Sequence, residues 1–514
     1  MISMKKGFAK SVIAYFPVFS FTLAYIIYQY ITSAVAITIT PLQILNTIII
    51  IFIFQVGFCF IAKKVIKDNT KAGLAVLLTS ALWFFSEKFF IFSLIISGFF
   101  VLIWAGILLF RKKKISLVNI TFVLAVLGLE FTIGLLVKSV QLNLPLNQIP
   151  EMRQTSTSSL IVPIDPPDIY YIVLDGYVRP DVLEELYGFD NSDFINYLLD
   201  KNFIVPEKNH SNYMKSILSI GSTLNMQYIQ TLFPNVKDFP FEWVMVPAIK
   251  NNQVKAMLEK SGYKSVAVFG DWELTNIDNA DIYLEPLPIQ INNFEKLLLQ
   301  SSPLRIFSSV IEKYVLLRSY PSHRKSVNFA FKALSEIPDF DDPKFVFAHI
   351  ISPHPPFVFD KDGQPVEPSY NFSFTDAKYF PGSNEQYING YVNQLQYINQ
   401  ELENAIDSIL DKSYTPPIII ILSDHGSRML TDFSSSANSC IRECFSNFAA
   451  FYLPDLDEDV IPSDITSVNV FRLIFDHYFG TEFGILDNRY YFTDIEYSFE
   501  DVASRINTVC DVSH

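Results

Sequence analysis

Five long apolar runs in the first 140 residues constrain this chain more than any other feature of its sequence. They occupy Val12–Tyr30, Ala34–Ala62, Ala72–Phe85, Phe89–Phe110 and Leu117–Val137. Most of these runs are long enough to cross the roughly 30 Å hydrocarbon core of a bilayer as helices. The third is short and ends at Glu87-Lys88, where we expect a tight turn. The sequence therefore predicts an N-terminal all-α transmembrane bundle of five helices over residues 1–140.

The distribution of charge predicts how this bundle is oriented. Up to Pro150 the chain has 13 Lys and Arg against 3 Asp and Glu, whereas the remainder has 26 against 50. The basic residues cluster at 5–10, 63–71 and 111–114 and alternate with loops of almost no net charge. Basic loops stay on the cytoplasmic side. We therefore expect an integral protein of the cell (inner) membrane, with its N-terminus cytoplasmic and everything after Val137 extracytoplasmic. A cleaved signal peptide followed by core helices would not give five alternating runs.

The remaining chain is interpreted as a linker and one large domain. Residues 141–167 are rich in Pro, Ser and Thr, which is typical of a linker. Residues 168–514 alternate short apolar runs with amphipathic ones, which predicts an α/β domain with a mainly parallel central sheet. The predicted strands lie at 168–177, 264–270, 344–357, 418–422 and 447–454. The predicted helices lie at 191–202, 385–410 and 463–479.

The stretch PPIIIILSDHG, 416–426, carries the first chemical signal. Five apolar residues predict a strand buried on both faces, and Asp424 and His425 follow directly. Ligands of open α/β sheets bind at the carboxyl ends of the strands. A carboxylate beside an imidazole at that edge is half of a site for a divalent metal.

Other predicted strands end on further candidate residues. Asp175 ends the strand at 168–177, and the stretch 344–357, a strand that runs into a His- and Pro-rich loop, contains His349 and His354. Between them, residues 211–228 form a hydroxyl-rich stretch that leads into a helix, where free N–H groups can hold a phosphoryl oxygen. A hydroxyl there needs a metal to lower its pKa before it becomes a useful nucleophile.

Several classes of function are disfavoured, and the cysteines add little. We find no Walker-type or GxGxxG phosphate loop and no basic stripe, so no nucleic acid partner is expected.

Cys440, Cys444 and Cys510 lie on the outer side, where a disulfide can persist. Cys440 and Cys444 are the nearest pair, but the sequence does not fix the pairing.

The order of these motifs resembles that of a known superfamily. A strand ending in Asp175-Gly, SNYxxS leading into SxLNMxY, HxxxPHxPF at 349–357, SDHG at 423–426 and SVNVFRLIFDHYFG at 467–480 are similar to membrane-anchored alkaline phosphatase/sulfatase superfamily proteins. The architecture looks like that of lipoteichoic acid synthases and phosphoethanolamine transferases, which also have five N-terminal helices and an external catalytic domain. The resemblance covers about 168–492.

The resemblance implies a role for each motif residue. Asp175, Asp424 and His425 would bind one divalent metal (Mn, Zn or Mg) together with Ser216. Ser216 would match the nucleophile, which is a Thr in the two named branches. His354 would match a His that contacts the substrate or leaving group, and His349 aligns with a more variable neighbour.

Each of these residues also has a structural interpretation. Asp175 is compatible with a turn before Gly176, and His354 with a rigid Pro-rich loop. Ser216 competes with the other hydroxyls of its stretch, and His349 is equally typical of a buried core histidine. His210 is assigned to the surface. Arg179 and Arg428 follow predicted metal ligands and are candidates for holding phosphate oxygens or for solvated surface positions.

Two departures from the superfamily pattern narrow the chemistry. The sequence after Ser216 does not match the CxPxR-type motif that sulfatases need, which disfavours sulfate ester hydrolysis. No His occurs in the 50 residues after His425, which places a complete second metal site of the alkaline phosphatase type in doubt.

These observations predict a metal-dependent transferase or hydrolase at the outer membrane surface. Ser216 would take a phospho head group, such as phosphoglycerol or phosphoethanolamine, from a membrane lipid donor and pass it to an envelope glycan or lipid acceptor. The alternatives are a phosphodiesterase, phosphatase or sulfatase-like hydrolase of soluble esters, and a catalytically inactive membrane-anchored binding protein.

Overall fold

The computed structural model describes residues 2–32, 43–84, 160–236, 241–286, 294–295, 298, 319–494 and 498–510. The chain divides into two compact units. The first comprises Met1–Gln148 and Ile289–Leu317, and the second comprises Ile149–Pro288 and Arg318–His514. The inclusion of Ile289–Leu317 in the first unit is not anticipated by the sequence analysis.

The described part of the N-terminal unit is helical. Its helices are α1 (Ile2–Thr32), α2 (Gln43–Ile66) and α3 (Asn69–Phe84), which cover most of the first three apolar runs. Among the described residues, Ile44–Ile66 is the one segment long and apolar enough to cross a membrane, judged by length and composition. The runs at 89–110 and 117–137 lie outside the described residues. The bundle of five helices therefore stays a prediction.

The segment around Phe294 belongs to this unit through specific contacts. The ring of Phe294 meets that of Tyr30 edge to face, with 6.0 Å between the ring centroids. Thr47 Oγ1 donates a hydrogen bond of 2.8 Å to Glu295 Oε1. Phe294 is fully buried beside Ile26 and Ile44.

The second unit is an α/β domain with many short helices. Its strands are β1 (Ile169–Leu174), β2 (Lys264–Val268), β3 (Ile282–Leu284), β4 (Lys344–Ile350), β5 (Ile418–Leu422), β6 (Ala449–Tyr452), β7 (Tyr491–Thr493) and β8 (Phe499–Asp501). Its α-helices are α4 (Pro180–Tyr187), α5 (Ser192–Asp200), α6 (Ser216–Leu224), α7 (Ile229–Leu232), α8 (Phe241–Lys250), α9 (Gln253–Lys260), α10 (Tyr320–Glu336), α11 (Asn384–Lys412), α12 (Ile441–Phe445) and α13 (Val470–Tyr478). Short 3₁₀ turns lie at Ile337–Asp339, Ala377–Tyr379, Ser436–Asn438, Glu458–Val460, Ser467–Asn469 and Ala503–Arg505.

The main sheet has six strands in the order β3-β2-β4-β1-β5-β6. All neighbouring pairs are parallel except β5 and β6, which are antiparallel. The prediction of a mainly parallel α/β domain is therefore confirmed. Leu174 pairs with Ile350, and Val173 pairs with Leu422. The residues that follow β1, β4 and β5 consequently meet at one edge of the sheet.

The central strands form because their residues are apolar throughout. Every residue of β1 and β5 is buried, as expected for strands covered by helices on both faces. The long helix α11 packs apolar residues such as Leu395, Ile398 and Leu402 into the core that lies on one side of the sheet. Its N-terminus is fixed by a capping box between Ser383 and Gln386.

The last predicted helix begins later in the structure than in the sequence analysis. We expect helix from Ser463, but α13 begins at Val470 after a 3₁₀ turn at Ser467–Asn469. Thr466 is extended and forms an isolated parallel bridge with His210. Because its backbone is extended in this bridge, Thr466 is not part of the helix.

One disulfide pairs Cys440 with Cys510, which are 70 residues apart in sequence. Cys444, the cysteine nearest to Cys440, is a buried free thiol. Its Sγ lies 2.7 Å from Thr431 Oγ1. The bonded pair is thus not the nearest pair in sequence.

Candidate metal centre and active site

Asp175 is held at the end of β1 by the neighbouring strand β4. Its N–H donates to the carbonyl of Ile350 at 2.9 Å, and its own carbonyl accepts from His354 N at 3.0 Å. Gly176 follows with φ +72°, a left-handed conformation that favours glycine. The turn at Gly176 directs its N–H to Asp424 Oδ1, 3.1 Å away. The ends of β1 and β5 are therefore joined through the Asp424 carboxylate.

Asp424 and His425 are held in a fixed loop after β5. Asp424 Oδ1 also accepts from His425 N at 3.0 Å. His425 Nδ1 lies 2.7 Å from the carbonyl of Gly426, so Nδ1 carries the proton and the Nε2 lone pair is free. A Cβ on Gly426 would lie 1.9 Å from the carbonyl of Glu443, which requires glycine at that position.

Candidate ligand atoms of Asp175, Asp424 and His425 converge within 4.8 Å of one another. His425 Nε2 lies 3.5 Å from Asp175 Oδ1 and 3.4 Å from Asp424 Oδ2. Ser216 Oγ lies 3.2 Å from the same nitrogen. All four residues are buried, with exposed fractions of 5% or less. The structure thus brings together the four residues that the sequence analysis assigns to a metal site.

This donor set fits a divalent cation. Asp175 Oδ1 and Asp424 Oδ2 are buried and make no hydrogen bond with any described residue. Burial and the Arg428 guanidinium lower the pKa of His425, which keeps its imidazole neutral. Burial opposes the ionisation of Asp175, but the neighbouring histidines, His354 first, hold the pKa of its carboxyl below the ordinary value. Buried carboxylates without partners are costly, and a cation between them offsets that cost.

Ser216 is the first residue of α6, as the sequence analysis predicts. No side chain caps this helix, since the residue before it is Lys215. The other hydroxyls of α6 have different surroundings. Ser222 Oγ and Thr223 Oγ1 both donate to the carbonyl of Ser219 within the helix. Among the described residues, Ser216 thus provides the hydroxyl of α6 that contacts His425.

His354 and Arg428 form one hydrogen-bonded pair beside the metal candidates. Arg428 Nη2 lies 2.9 Å from His354 Nε2, which therefore accepts, while His354 Nδ1 lies 2.5 Å from the carbonyl of Pro355. Arg428 Nε donates to Asp376 Oδ2 at 3.0 Å, and Nη1 donates to the carbonyl of Met214 at 3.2 Å. The guanidinium is thus not a solvated surface group, because it links the segment before Ser216 to the loop after His425.

Asp376 is a participant that sequence reasoning missed. It is buried, and its Oδ1 accepts from Tyr387 OH at 2.7 Å. The Arg428 guanidinium holds the pKa of this carboxyl below its ordinary value, although burial alone would raise it. Asp376 lies in an irregular stretch without periodicity, so the sequence offers no signal for it.

Glu443 is a second missed residue, and it holds the loop that carries Arg428. Its Oε1 accepts from Tyr187 OH, Ser427 Oγ and Met429 N, and its Oε2 accepts from Leu430 N, at 2.8 to 3.0 Å. Glu443 is fully buried, and burial raises the pKa of its carboxyl to about 7. Its function in the fold is to fix the backbone after His425.

Arg179 and His210 contact each other, with 3.4 Å between Arg179 Nη1 and His210 Nε2. Arg179 donates from Nε and Nη2 to Asp181, and from Nη1 to the carbonyl of Asn209. His210 is 3% exposed, so its assignment to the surface is wrong. Burial, reinforced by Arg179, lowers the pKa of His210 to about 3. The contacts described for Arg179 are structural, and none of them joins it to the four clustered residues.

Only one of the two ring nitrogens of His349 has a hydrogen-bond partner among the described residues. It lies on β4 and pairs with Val173 of β1. Its Nδ1 lies 2.7 Å from Thr275 Oγ1, whereas its Nε2 makes no hydrogen bond with a described residue. Nε2 faces the carboxylate of Asp175 at 3.4 Å.

The sequence of this chain matches the profile of one protein family. The profile of the family described as Sulfatase matches residues 184–451, which is more than half of the chain. The chain belongs to the sulfatase family. The predicted resemblance to the alkaline phosphatase/sulfatase superfamily is thereby confirmed. The matched range of this sulfatase family chain includes Ser216, His354 and Asp424, and Asp175 lies shortly before it.

The chain is also similar to solved structures that are distant in sequence. The C-terminal periplasmic domain of EcEptC from Escherichia coli, in complex with Zn, has 12% identity and a TM-score of 0.41, covering 69% of this chain and 96% of that one. The integral membrane lipooligosaccharide phosphoethanolamine transferase A (EptA) from Neisseria meningitidis has 12% identity and a TM-score of 0.38, covering 78% and 68%. The C-terminal periplasmic domain of phosphoethanolamine transferase EptC from Campylobacter jejuni has 14% identity and a TM-score of 0.34, covering 59% and 87%. No curated protein matches the chain.

Proposed function

We propose that this sulfatase family member is a membrane-anchored, metal-dependent transferase of phospho head groups, with Ser216 as its nucleophile. The observation that carries the proposal is the position of Ser216 Oγ, 3.2 Å from His425 Nε2 at the uncapped start of α6. A hydroxyl beside unpaired buried carboxylates, at a helix N-terminus that favours anions, suits attack on a phosphodiester.

The reaction would proceed in two displacements. Ser216 Oγ, after releasing its proton to water, attacks the phosphorus of the lipid head group, and the P–O bond to the lipid alcohol breaks. The alcohol takes up a proton and leaves, and the head group stays on Ser216 Oγ as a phosphodiester. An acceptor hydroxyl, from an envelope glycan or lipid, then loses its proton and attacks the same phosphorus. The P–O bond to Ser216 breaks, and Ser216 Oγ takes up a proton. A divalent ion (Mn, Zn or Mg) held by Asp175, Asp424, His425 and Ser216 would lower the pKa of the Ser216 hydroxyl.

Arg428 and His354 are proposed to bind the transferred group. Arg428 uses three of its N–H groups on Asp376, Met214 and His354, which leaves two for phosphoryl oxygens. When the guanidinium turns to the phosphate, His354 Nε2 is released toward the leaving oxygen or the acceptor hydroxyl. His354 is thus proposed to move a proton at that oxygen.

The membrane part is proposed to bring the site to its lipid donor. We propose five crossings, with the N-terminus cytoplasmic and the α/β domain extracytoplasmic in the cell membrane. The apolar segment Ile44–Ile66 ends at Lys63 and Lys64, which supports a cytoplasmic end for this helix. A reporter that works only outside the cytoplasm should be active when it is fused after His514. Activity at the same position of a reporter that works only in the cytoplasm would overturn this orientation.

Covalent trapping tests the proposed reaction. The full chain in detergent, given a lipid donor labelled in its phospho head group, should acquire label on the peptide that contains Ser216. Labelled product should then appear only when an acceptor alcohol is added. Label on Ser219 or Thr223 would contradict the assignment of the nucleophile. Rapid release of free head group to water, or turnover of soluble esters alone, would indicate a hydrolase instead, and no label would indicate a binding protein.

A further inference from the structure

His349 directs its Nε2 at the candidate metal centre. This histidine comes from β4, whereas His425 follows β5. Its side chain is 2% exposed and projects from β4, next to β1 in the sheet. Its Nε2 lies 3.4 Å from Asp175 Oδ2 and 4.0 Å from Asp424 Oδ2. His425 Nε2, in turn, lies 3.5 Å from Asp175 Oδ1. Each oxygen of the Asp175 carboxylate therefore faces a different histidine.

Thr275 fixes the orientation of the His349 ring. Thr275 Oγ1 lies 2.7 Å from His349 Nδ1, and it also donates to the carbonyl of Trp272 at 3.2 Å. Without a cation, His349 Nε2 can carry the proton and donate it toward Asp175 Oδ2. When a divalent ion is bound, Thr275 gives its single hydroxyl proton to Trp272, and its oxygen accepts the proton on His349 Nδ1. In that arrangement Nε2 carries a lone pair and no proton.

A lone pair aimed at two buried carboxylates is unfavourable unless a positive charge lies between them. Nε2 of His349 and Oδ2 of Asp424 are both buried without a hydrogen-bond partner among the described residues. With Asp175 Oδ2, which lies 3.4 Å from His349 Nε2, these atoms have the composition of a ligand set. Metal-ligating histidines usually give their other nitrogen to a second partner such as a hydroxyl or carbonyl. Thr275 is that partner here.

We propose that His349 is a further ligand of the divalent ion held by Asp175, Asp424 and His425, and that Thr275 positions it. This inference rests on the proposed metal centre and adds one nitrogen to it. The consequence is a site with two imidazoles and two carboxylates beside the Ser216 hydroxyl, a donor set that favours Zn²⁺, Mn²⁺ or Co²⁺ over Mg²⁺.

Metal binding, measured apart from activity, tests the proposal. The purified full chain in detergent is stripped with a chelator and titrated with Co²⁺, whose visible absorption reports the number and type of ligands. His349→Ala should raise the Kd for Co²⁺ more than about 10-fold and alter the absorption bands, since even the loss of an outer partner costs 10- to 100-fold. Thr275→Val should raise the Kd about 10-fold, and Thr275→Ser, which keeps the hydroxyl, should restore it.

Two controls keep the test decisive. His477→Ala, an exposed histidine on α13, should bind Co²⁺ as the wild type does. Thermal melting of each metal-free variant shows whether the domain is folded. If His349→Ala does not fold, the comparison of Thr275→Val with the wild type tests the proposal instead. Equal Kd and equal spectra for wild type and His349→Ala would overturn the role of His349 alone. Failure of the wild type to bind any divalent ion would instead overturn the proposed metal centre.

Discussion

The buried carboxylates of Glu443, Asp175 and Asp424 differ in how their oxygens are satisfied. Glu443 accepts four hydrogen bonds from the backbone and side chains around residues 427–430. Asp175 and Asp424, by contrast, keep one oxygen each without any hydrogen bond in the described part of the chain. Both groups are buried to a similar extent.

The difference separates a structural carboxylate from one that binds a ligand. A fully bonded carboxylate stabilises the backbone that surrounds it, whereas an unbonded one costs free energy until something else binds. Glu443 therefore supports the site by fixing the loop, and Asp175 and Asp424 form it. The following predictions, from the largest effect to the smallest, test that distinction.

Removal of the nucleophile should have the largest effect. Ser216→Ala should reduce head-group transfer by about 10³-fold or more, because no other hydroxyl of α6 contacts His425. Metal binding should weaken but persist, because Asp175, Asp424 and His425 remain, and the melting temperature of the metal-free protein should change little. Ser219→Ala, a matched change in the same helix, should retain most activity. Transfer by Ser216→Ala at the wild-type rate would contradict the assignment.

Loss of the Arg428 guanidinium should come next. Arg428→Lys places a point charge where a planar group bridges Asp376, Met214 and His354, so we expect kcat/KM to fall by about 10²-fold with metal content unchanged. Asp376→Asn should act in the same direction but less strongly, since it only orients Arg428. Steady-state kinetics with a labelled lipid donor measure both, and normal kinetics in Arg428→Lys would exclude a direct role.

Glu443 should change stability rather than chemistry, and its effect should depend on pH. Because burial raises the pKa of Glu443 to about 7, the folded state keeps a proton that the unfolded state releases near the ordinary pKa of 4.5. The contribution is complete below that ordinary value and is lost as pH rises to about 7, which amounts to about 3 kcal/mol.

Glu443→Gln isolates this contribution. At pH 5 the variant should be less stable by about 1–3 kcal/mol, because its amide N–H₂ faces the N–H of Leu430. Its deficit should shrink as pH rises to 8, since only the wild type loses its proton. Melting curves of both proteins across this range measure the difference. A deficit that grows with pH would contradict the raised pKa.

Asp424→Asn should give the smallest effect on stability, with the opposite sign to Glu443→Gln. The amide keeps the Oδ1 acceptor for Gly176 and His425, and it removes an unpaired buried charge. We expect the metal-free variant to melt at or slightly above the wild-type temperature. Addition of a divalent ion should stabilise the wild type alone. A clear loss of stability in the metal-free variant would show that Asp424 is structural.

The sequence predicts the residues at element ends better than those that support them. Asp175 and Asp424 follow from apolar runs that end abruptly, and the structure places both after buried strands. The choice of Ser216 among the hydroxyls of its stretch rests on the resemblance, and the structure places Ser216 at the start of α6. Asp376 and Thr275 lie in irregular loops whose course depends on tertiary packing, so periodicity gives no signal for them. His349 has the sequence pattern of a core histidine, and only its unpaired nitrogen distinguishes it.

The most direct test of the account is the metal content of three matched proteins. Wild type, Asp175→Asn and Glu443→Gln, each stripped and reloaded with one divalent ion, are analysed by elemental mass spectrometry after removal of free metal. We predict about one ion per chain in wild type and Glu443→Gln, and almost none in Asp175→Asn, because only the unsatisfied carboxylates bind it. Equal loading of Asp175→Asn and wild type would contradict the central claim.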